Sequence, residues 1–507
     1  LPGQLCGLLG GFLRGDPALL ELISAGGDAL RNAQDETGRM EFVKTDGSTW
    51  GWIFMPWSLF HWLQTWALMR EGLDSARARR WEEGLRLAYD GVARQLAAAP
   101  RVHNIDCWHA MALVRAAALF DRPDWLPPAR AYIARCVAAQ SPEGYWPEGG
   151  GPTTLYNRVY HHALGLYHHF TGDESVRLVL DRALQFHLRF TYPDGADVET
   201  VDGRVRYHDR VCAIGWPGCL TAPEGRRYVR FLLERFRPQK PHEGLDARIA
   251  GTFSAWREAD EAPVPQQSSD FAADHFGKAL VRRKGPWFAV LNGYVTPDEF
   301  LDENLRGRFR LDRQNCISLW HERVGMLVGG GNSRFDPAFS TFSLVRGRVR
   351  CVAPDAAALR LDGNRLTAQY TCAGVGCEVV ISLLDDRRAE LSFRAGAGEC
   401  RPVGAFTLRL RPGSELTAPD APKPRFVHPR HSFLIAAPEA DPFEGFIVAG
   451  EGWRLRLPPG GKFSWPHFPS DPYALNYGAP DGAAVASVSA ALSPGGHPVR
   501  FRFEIVP

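Results

Sequence analysis

Residues 143–170 read EGYWPEGGGPTTLYNRVYHHALGLYHHF. Glycine and proline interrupt the first part of this stretch, so residues 142–154 are predicted to form a loop. The second part has the apolar spacing of an amphipathic helix, and Thr153 or Thr154 is suited to cap its amino end. The stretch therefore predicts a loop that leads directly into a helix.

The same stretch concentrates side chains suited to acid–base chemistry. Tyr156 and Tyr160 are four residues apart and share one helix face. Arg158 lies between them in sequence but about 160° away around the helix. Further candidate substrate-binding residues of the stretch are Tyr145, Glu148 and His161. The group predicts a functional site. The alternative is that the tyrosines are core aromatics and the histidines satisfied polar residues.

The helical pattern extends over residues 16–236. Predicted helices such as Ala76–Ala98 and Asn104–Phe120 follow one another with short joints, which favours antiparallel pairs. Such hairpins can close into an (α/α) toroid with a central cleft. A β-hairpin is predicted around Asp202-Gly203, where it would cover the cleft and bring Tyr207 and His208 towards a ligand.

After the helical part, the period of the sequence changes from 3.6 to 2 residues. Residues 241–272 are irregular and proline-rich, which is typical of a linker. Residues 273–507 contain many short strands separated by Gly, Pro, Asp and Asn, which predicts an antiparallel β-sandwich. We therefore expect a toroid domain at 1–240, a linker at 241–272 and a sandwich domain at 273–507.

The composition describes a globular protein. The 507 residues exceed one ordinary core, with 45% hydrophobic and 23% charged residues. A net charge of +2 argues against a strongly basic nucleic-acid binder, and no run of 18 apolar residues would span a membrane. Residues 1–14 lack the pattern of a signal peptide. Ten dispersed cysteines favour a reducing compartment, which leaves a cytoplasmic location open.

Two motifs give the chain a family resemblance. The first is Asn104, suited to be an N-cap, followed by a tryptophan four residues later and an alanine-rich helix. The second is EGYWPEG at 143–149, followed by Tyr-x-x-x-Tyr. With a sandwich after a toroid, the chain resembles the heparinase II/III-like polysaccharide lyases. The resemblance in architecture covers nearly the whole chain. The specific motifs cover only about 104–120, 143–170 and, more loosely, 314–322.

The resemblance implies a carbon–oxygen lyase that cleaves an anionic, uronic-acid-containing polysaccharide by β-elimination. An Asn, helped by His or Arg, neutralises the substrate carboxylate, since the neighbouring C–H is too weak an acid to ionise unaided. A Tyr or His removes the C5 proton, and a Tyr protonates the leaving oxygen. A phenol can act as the base only if positive charge lowers its pKa from about 10.

Residue by residue, Asn104 matches the neutralising residue and Tyr156 or Tyr160 the catalytic tyrosine, with Arg158 and the histidines supplying positive charge. Several relatives have a histidine directly after the asparagine, where this chain has Ile105. The imidazole is then expected from another position: His109, His161, His208 or His321. The resemblance also implies a periplasmic or secreted location and no required cofactor, while a structural divalent metal stays open.

Aromatic and acidic residues leave further possibilities. Trp50 and Trp52 are candidate sugar-stacking platforms. His321, on a predicted strand, is a candidate ligand contact or a histidine at the edge of the core. The alternatives to the lyase are a glycoside hydrolase with Glu148 as acid, a uronyl C5-epimerase and a non-catalytic glycan-binding protein. The sugar, its sulfation, endo or exo action and the oligomeric state are not encoded in any motif.

Overall fold

The computed structural model describes residues 17–43, 47–148, 151–202, 210–237, 247–295, 315–329, 340–410, 415–418, 421–426, 433–436, 447–465 and 484–507. Ten α-helices lie in these ranges: α1 (Ala18–Asn32), α2 (Pro56–Met69), α3 (Ser75–Ala98), α4 (Asn104–Phe120), α5 (Leu126–Ala138), α6 (Thr154–Thr171), α7 (Arg177–Arg189), α8 (Trp216–Cys219), α9 (Pro223–Arg235) and α10 (Ala247–Ala255). In the described part of the chain, every helix falls short of the length or the hydropathy that crossing a bilayer requires.

The helices pack through apolar faces that recur at helical spacing. In α3, Trp81, Leu85 and Val92 are all fully buried, and the carboxylate of Asp74 caps the helix by accepting from the Ala76 and Arg77 N–H groups at 3.1 and 3.0 Å. Neighbouring helices α2 to α5 contribute to one continuous core. The helical packing that the sequence periodicity predicted for this region is therefore confirmed.

The described ranges contain twenty-two strands: β1 (Met40–Val43), β2 (Thr49–Ile53), β3 (Asp270–His275), β4 (Ala279–Lys284), β5 (Trp287–Asn292), β6 (Ile317–His321), β7 (Gly325–Val328), β8 (Phe342–Arg346), β9 (Val349–Cys351), β10 (Ala356–Asp362), β11 (Arg365–Cys372), β12 (Val375–Leu383), β13 (Arg388–Ala395), β14 (Arg401–Leu410), β15 (Glu415–Ala418), β16 (Ala421–Phe426), β17 (Phe433–Ala436), β18 (Ile447–Gly450), β19 (Trp453–Arg456), β20 (Lys462–Trp465), β21 (Ala484–Ala491) and β22 (Val499–Ile505).

Beyond the β1–β2 hairpin, the strands form two antiparallel sheets. One has nine strands in the order β10-β11-β12-β13-β22-β19-β18-β15-β16. The other has eleven, nine of them in the order β17-β20-β21-β14-β7-β6-β5-β4-β3, with β8 pairing β14 and β9. The sheets meet through buried aromatic rings. The ring centroid of Phe406, in the larger sheet, lies 6.2 Å from that of Phe393 and 5.1 Å from that of Phe501, both in the smaller sheet. This face-to-face core makes the region a β-sandwich.

The chain divides into two compact units. The helical unit contains residues 1–146, 155–186 and 211–264, and the sandwich unit contains residues 147–154, 187–210 and 265–507. The polypeptide therefore enters the sandwich unit twice before its strands begin at Asp270.

One of these early entries joins the sandwich unit through a buried polar network. Glu199 accepts hydrogen bonds from Tyr192 Oη and Ser318 Oγ, both at 2.9 Å. Ser318 also hydrogen-bonds with Thr200 Oγ1 at 2.8 Å, and Asn292 Nδ2 donates to the Thr200 carbonyl at 2.6 Å. We call these five residues the Glu199 network. Its polar atoms are paired with one another, so it ties residues 192–200 to strands β5 and β6.

One local prediction was wrong. Residues 247–255 form helix α10, although the flanking prolines predicted irregular structure there. The predicted hairpin around Asp202-Gly203 lies outside the described residues from 203 onwards, and in its described half Asp197 forms an isolated bridge with Thr191. Glu199, Thr200 and Asp202 of that half are buried.

Candidate functional site

Helix α4 begins with an arrangement that leaves the Asn104 side chain unused by the backbone. His103 is the N-cap residue, and its Nδ1 accepts from the Ile105 N–H at 3.2 Å. Asn104 was expected to be the cap, and this was wrong, because it is already the first helical residue. Its amide is therefore free for another role.

Helices α4 and α6 run parallel to each other within the helical unit. The indole of Trp108 stacks on the imidazole of His162, with ring centroids 5.0 Å apart. Two turns further along both helices, the Arg115 guanidinium lies 5.2 Å from the Phe170 ring centroid. The two contacts advance in the same direction on both helices, which sets their relative orientation.

Residues at matching spacing from the Trp108–His162 contact share its face on each helix. On α4 they are Asn104, Trp108 and Arg115, and on α6 they are Arg158, His162 and His169. Each set has the spacing i, i+4, i+11, so its members lie within about 40° of one another around their helix. We call these six residues the α4–α6 seam.

The first half of the seam carries hydrogen-bond donors without acceptors. Asn104 Nδ2 and Trp108 Nε1 are buried and have no partner among the described residues. His162 accepts from the Gly215 N–H at Nδ1, 3.1 Å away, so a neutral ring carries its proton at Nε2. That Nε2 has no hydrogen-bond partner in the described ranges either. We call Asn104 Nδ2, Trp108 Nε1 and His162 Nε2 the donor cluster.

The imidazoles near the seam are neutral at pH 7. Burial, followed by the charges of His61, Arg248 and His161, holds the pKa of His162 well below its usual value. Burial and then the Arg158 charge lower the pKa of His161 to about 3. The histidines were expected to help lower a phenol's pKa by their positive charge. Neutral rings cannot do this, so the arginines carry the positive charge of the site.

Arg158 is completely buried beside the seam. Its Nη2 donates to Tyr228 Oη at 2.9 Å, and its Nη1 lies 3.5 Å from the Ile214 carbonyl oxygen. Gly215 passes directly alongside, since a Cβ there would lie 3.3 Å from Arg158 Cγ. The guanidinium therefore fixes α6 against the turn that also orients His162.

His161 points to another neighbour, about 100° around α6 from His162. Its Nδ1 lies 3.9 Å from Cys219 Sγ. A Cβ on Gly218 would lie 2.3 Å from the His161 ring, and a Cβ on Gly165 would lie 2.2 Å from the Gly218 nitrogen. The ring thus packs between α6 and α8 at a close approach that only glycine permits.

His109 is also separated from Asn104, by about 140° around α4. It is buried, its other nitrogen hydrogen-bonds with the Phe54 backbone, and its Nδ1 has no partner among the described residues. Burial lowers its pKa to about 4. The structure does not place His109 in the donor cluster.

The two tyrosines of α6 differ in accessibility. Tyr160 is buried and stacks on Trp146, with centroids 4.8 Å apart. Tyr156 is partly exposed. Tyr145, in the preceding loop, is buried 5.8 Å from the Phe186 ring. Of the three phenols, Tyr156 is the one accessible to a ligand.

The amino end of α6 is held by a distant carboxylate. Asp202 Oδ2 accepts from the Thr154 N–H at 2.6 Å and from the Thr154 hydroxyl at 2.9 Å. The expected cap was the hydroxyl of Thr153 or Thr154. Asp202 takes that role, and its negative charge at a helix amino end is favourable.

The remaining candidate residues lie elsewhere. Trp50 and Trp52, on β2, are 53% and 50% exposed and thus open to stacking. Glu148 and His321 belong to the sandwich unit. His321 is buried, and both ring nitrogens have partners: the Asp386 carbonyl oxygen and the Arg323 N–H, each at 3.1 Å. Tyr207 and His208 lie outside the described residues.

Sequence reasoning placed His162 in the site-like group but left three residues of this region out: His61, Trp108 and Tyr228. Trp108 stood in a quoted motif, and its spacing to Asn104 was an available signal. His61, 6.5 Å from the Trp108 ring, and Tyr228 gave no local signal. In the described ranges, no three His, Cys, Asp or Glu side chains group as metal ligands would.

Solved structures share this architecture. Heparinase III matches with a TM-score of 0.55 and 12% identity, over 99% of this chain and 75% of its own. A mutant of chondroitin AC lyase from Streptomyces coelicolor A3 matches with a TM-score of 0.55 and 14% identity, over 97% of this chain and 71% of its own. A mutant of the heparan sulfate lyase HepC from Pedobacter heparinus matches with a TM-score of 0.53 and 12% identity, over 98% of this chain and 74% of its own. No protein-family model and no curated protein sequence matches the chain.

The chain therefore has the fold of the heparinase-like polysaccharide lyases, an (α/α) toroid followed by an antiparallel β-sandwich. This confirms the fold class and the resemblance expected from the sequence. Identities of 12–14% speak for the fold alone.

Proposed function

We propose that the protein is a polysaccharide lyase that cleaves a uronic-acid-containing glycan by β-elimination. The fold is that of proteins named for action on heparin, heparan sulfate and chondroitin, which are anionic glycans. The observation that carries the proposal is the donor cluster of the α4–α6 seam.

Buried donors without acceptors are costly, at about 1–3 kcal/mol each, and native proteins rarely keep them. Asn104 Nδ2 and Trp108 Nε1 are two such donors one turn apart on the same helix. A substrate carboxylate supplies two acceptor oxygens and would satisfy both, with His162 Nε2 as a third donor. These hydrogen bonds strengthen as charge moves onto the carboxylate during loss of the C5 proton.

Tyr156 is the proposed base, because it is the accessible phenol of α6. It lies about 120° from His162 around that helix, so the sugar has to extend from the donor cluster around α6 to reach it. As phenolate, its oxygen takes the C5 proton, and the electron pair of the C–H bond passes into the carboxylate system. Collapse of that intermediate forms the C4–C5 double bond and breaks the bond from C4 to the glycosidic oxygen. The leaving oxygen takes the proton back from the phenol, so one tyrosine serves both steps and no cofactor is required.

The test uses the unsaturated uronate, whose conjugated double bond absorbs in the near ultraviolet. Absorbance is followed while the protein is incubated with heparan sulfate, chondroitin sulfate, hyaluronan, alginate and glucuronan. We expect a rise with at least one glycan, and Tyr156→Phe should lower kcat about 10²–10⁴-fold. Tyr160→Phe is the matched control, because the same oxygen is removed one turn away from a buried ring; its kcat should stay near that of the wild type.

Equal loss of activity in both variants would remove Tyr156 from its proposed role. Release of new reducing ends without near-ultraviolet absorbance would replace elimination by hydrolysis. If no glycan of the panel gives either near-ultraviolet absorbance or new reducing ends, the proposal as a whole is contradicted.

A further inference from the structure

The second half of the α4–α6 seam carries the guanidinium group of Arg115. Arg115 is half-buried, and its guanidinium lies over the Phe170 ring with its centre 5.2 Å from the ring centroid. Its Nε donates to Gln64 Oε1 at 3.3 Å. Within the described ranges no carboxylate pairs with it, and the four N–H bonds of its terminal nitrogens have no protein acceptor.

An imidazole and a second guanidinium lie near this group. His169 occupies the facing position on α6 and is close enough for the charges of Arg257 and Arg115 to lower its pKa, after burial itself. Arg257 follows α10 and anchors its Nη1 on the Ser254 and Trp256 carbonyl oxygens, at 3.2 and 2.7 Å. In the described part of the chain it has no carboxylate partner either.

Other arginines of this protein have an acid beside them. Arg122 pairs with Asp90 and Asp124 at 2.9 and 2.7 Å, and Arg230 pairs with Glu261 at 2.7 Å. Arg115 and Arg257 have no such acid in the described part of the chain, and the charges of both act on His169. Two guanidinium groups that repel each other without compensation are stabilised when an anion binds between them.

We propose that Arg115, His169 and Arg257 form an oxyanion subsite that binds a sulfate ester or a carboxylate of the glycan, apart from the uronate that reacts. Seven residues of parallel helix separate Arg115 and His169 from the Trp108–His162 stack, about 10.5 Å along the helix axes. The subsite therefore receives a group on a neighbouring sugar and selects for charge pattern. The identity of the ligand as a glycan rests on the proposed function, but the presence of an oxyanion site does not.

The first experiment uses inorganic sulfate as probe and does not depend on activity. In protein labelled on histidine, the His169 imidazole resonance, assigned by its loss in His169→Gln, is titrated with pH with and without sulfate. Bound sulfate should raise the His169 pKa. The shift should disappear in Arg115→Gln and persist in Arg79→Gln, which removes the same charge from an exposed position on α3.

The second experiment compares oligosaccharides of equal length that differ only in sulfation. Arg115→Gln and Arg257→Gln should each raise KM about tenfold, the size of a lost charge-assisted hydrogen bond, with kcat nearly unchanged. A rise confined to the sulfated oligosaccharide identifies a sulfate ester as the ligand, and an equal rise with both identifies a carboxylate.

The inference is overturned if sulfate leaves the wild-type His169 titration unchanged, or if Arg115→Gln behaves as Arg79→Gln does. Failure of the lyase proposal looks different: no glycan yields an unsaturated product, while sulfate still shifts His169 in an Arg115-dependent way. That result keeps the oxyanion subsite and removes the elimination chemistry.

Discussion

Two buried polar regions of this protein are built in opposite ways. In the Glu199 network of the sandwich unit, carboxylate, hydroxyl and amide groups pair with one another. In the donor cluster of the helical unit, Asn104 Nδ2 and Trp108 Nε1 are equally buried and have no acceptor among the described residues. A satisfied network stabilises the fold, whereas unsatisfied donors lower stability unless a ligand pairs with them. We propose that the first region is structural and the second functional.

The largest expected effect comes from replacing Asn104 by leucine. Removal of its donor should lower kcat about 10²–10³-fold, the usual loss for one oxyanion-stabilising group. The same change removes an unsatisfied buried amide, so the free energy of unfolding should hold or rise by about 1–3 kcal/mol. The rate at which unsaturated product forms measures the change in kcat. Urea unfolding curves measure the change in the free energy of unfolding.

The matched control is Asn157→Leu. Asn157 is also buried, but its Oδ1 accepts from the Trp146 N–H and its Nδ2 donates to the Gly144 carbonyl, both at 3.3 Å. Its loss should destabilise the protein. If Asn104→Leu destabilises as much as Asn157→Leu, the Asn104 amide has a structural role and the comparison fails.

A second change tests the other side of the comparison. Glu199→Leu removes the acceptor of two buried hydroxyl groups, on Tyr192 and Ser318, and should lower the free energy of unfolding by about 2–4 kcal/mol. Glu199→Gln keeps an acceptor oxygen and should lose less. The midpoints of urea unfolding, compared at an unchanged m value, measure the stability loss of both variants. A Glu199→Leu protein as stable as the wild type would show that the network is not a structural tie.

The smallest expected effect is a pH dependence of stability. The pKa of His109 is lowered from 6.5 to about 4 by burial, so the folded chain keeps this ring neutral while the unfolded chain binds a proton below about pH 6.5. Its stabilising contribution is complete above pH 6.5 and is lost at about 1.4 kcal/mol per pH unit as the pH falls towards 4.

His109→Gln should make the unfolding free energy fall less steeply between pH 6.5 and 4, and above that range the two curves should run parallel. Urea unfolding at a series of pH values measures this. Identical slopes for both proteins would mean that His109 is not held neutral.

The local sequence pattern predicted the bounds of several helices and strands correctly. Helix α4 was predicted at its observed bounds because Asn104–Phe120 combines a polar start with an alanine-rich repeat. Strand β6 was likewise predicted as Ile317–His321. Strand β3 was missed since Asp270–His275 directly follows the proline-rich stretch and carries two alanines and two aspartates, which are poor strand formers.

The site was predictable only in part, for the same reason. Helical spacing placed Tyr156 and Tyr160 on one face, but it could not show that Trp146 covers the latter. The partners that decide burial come from far away in sequence: Trp108 and His162 are 54 residues apart, and Ser318 reaches Glu199 across 119. Such pairs arise from topology, which a local window does not contain.

The close approach of α6 and α8 also bears on how relatives of this chain can be found. A side chain at Gly165 would meet the Gly218 backbone, and one at Gly218 would meet both the ring and the carbonyl of His161. Neither position can enlarge without displacing backbone atoms, so both should remain glycine during divergence. We expect this glycine pair to persist in homologues where overall identity has fallen to the 12–14% of the solved structures compared above.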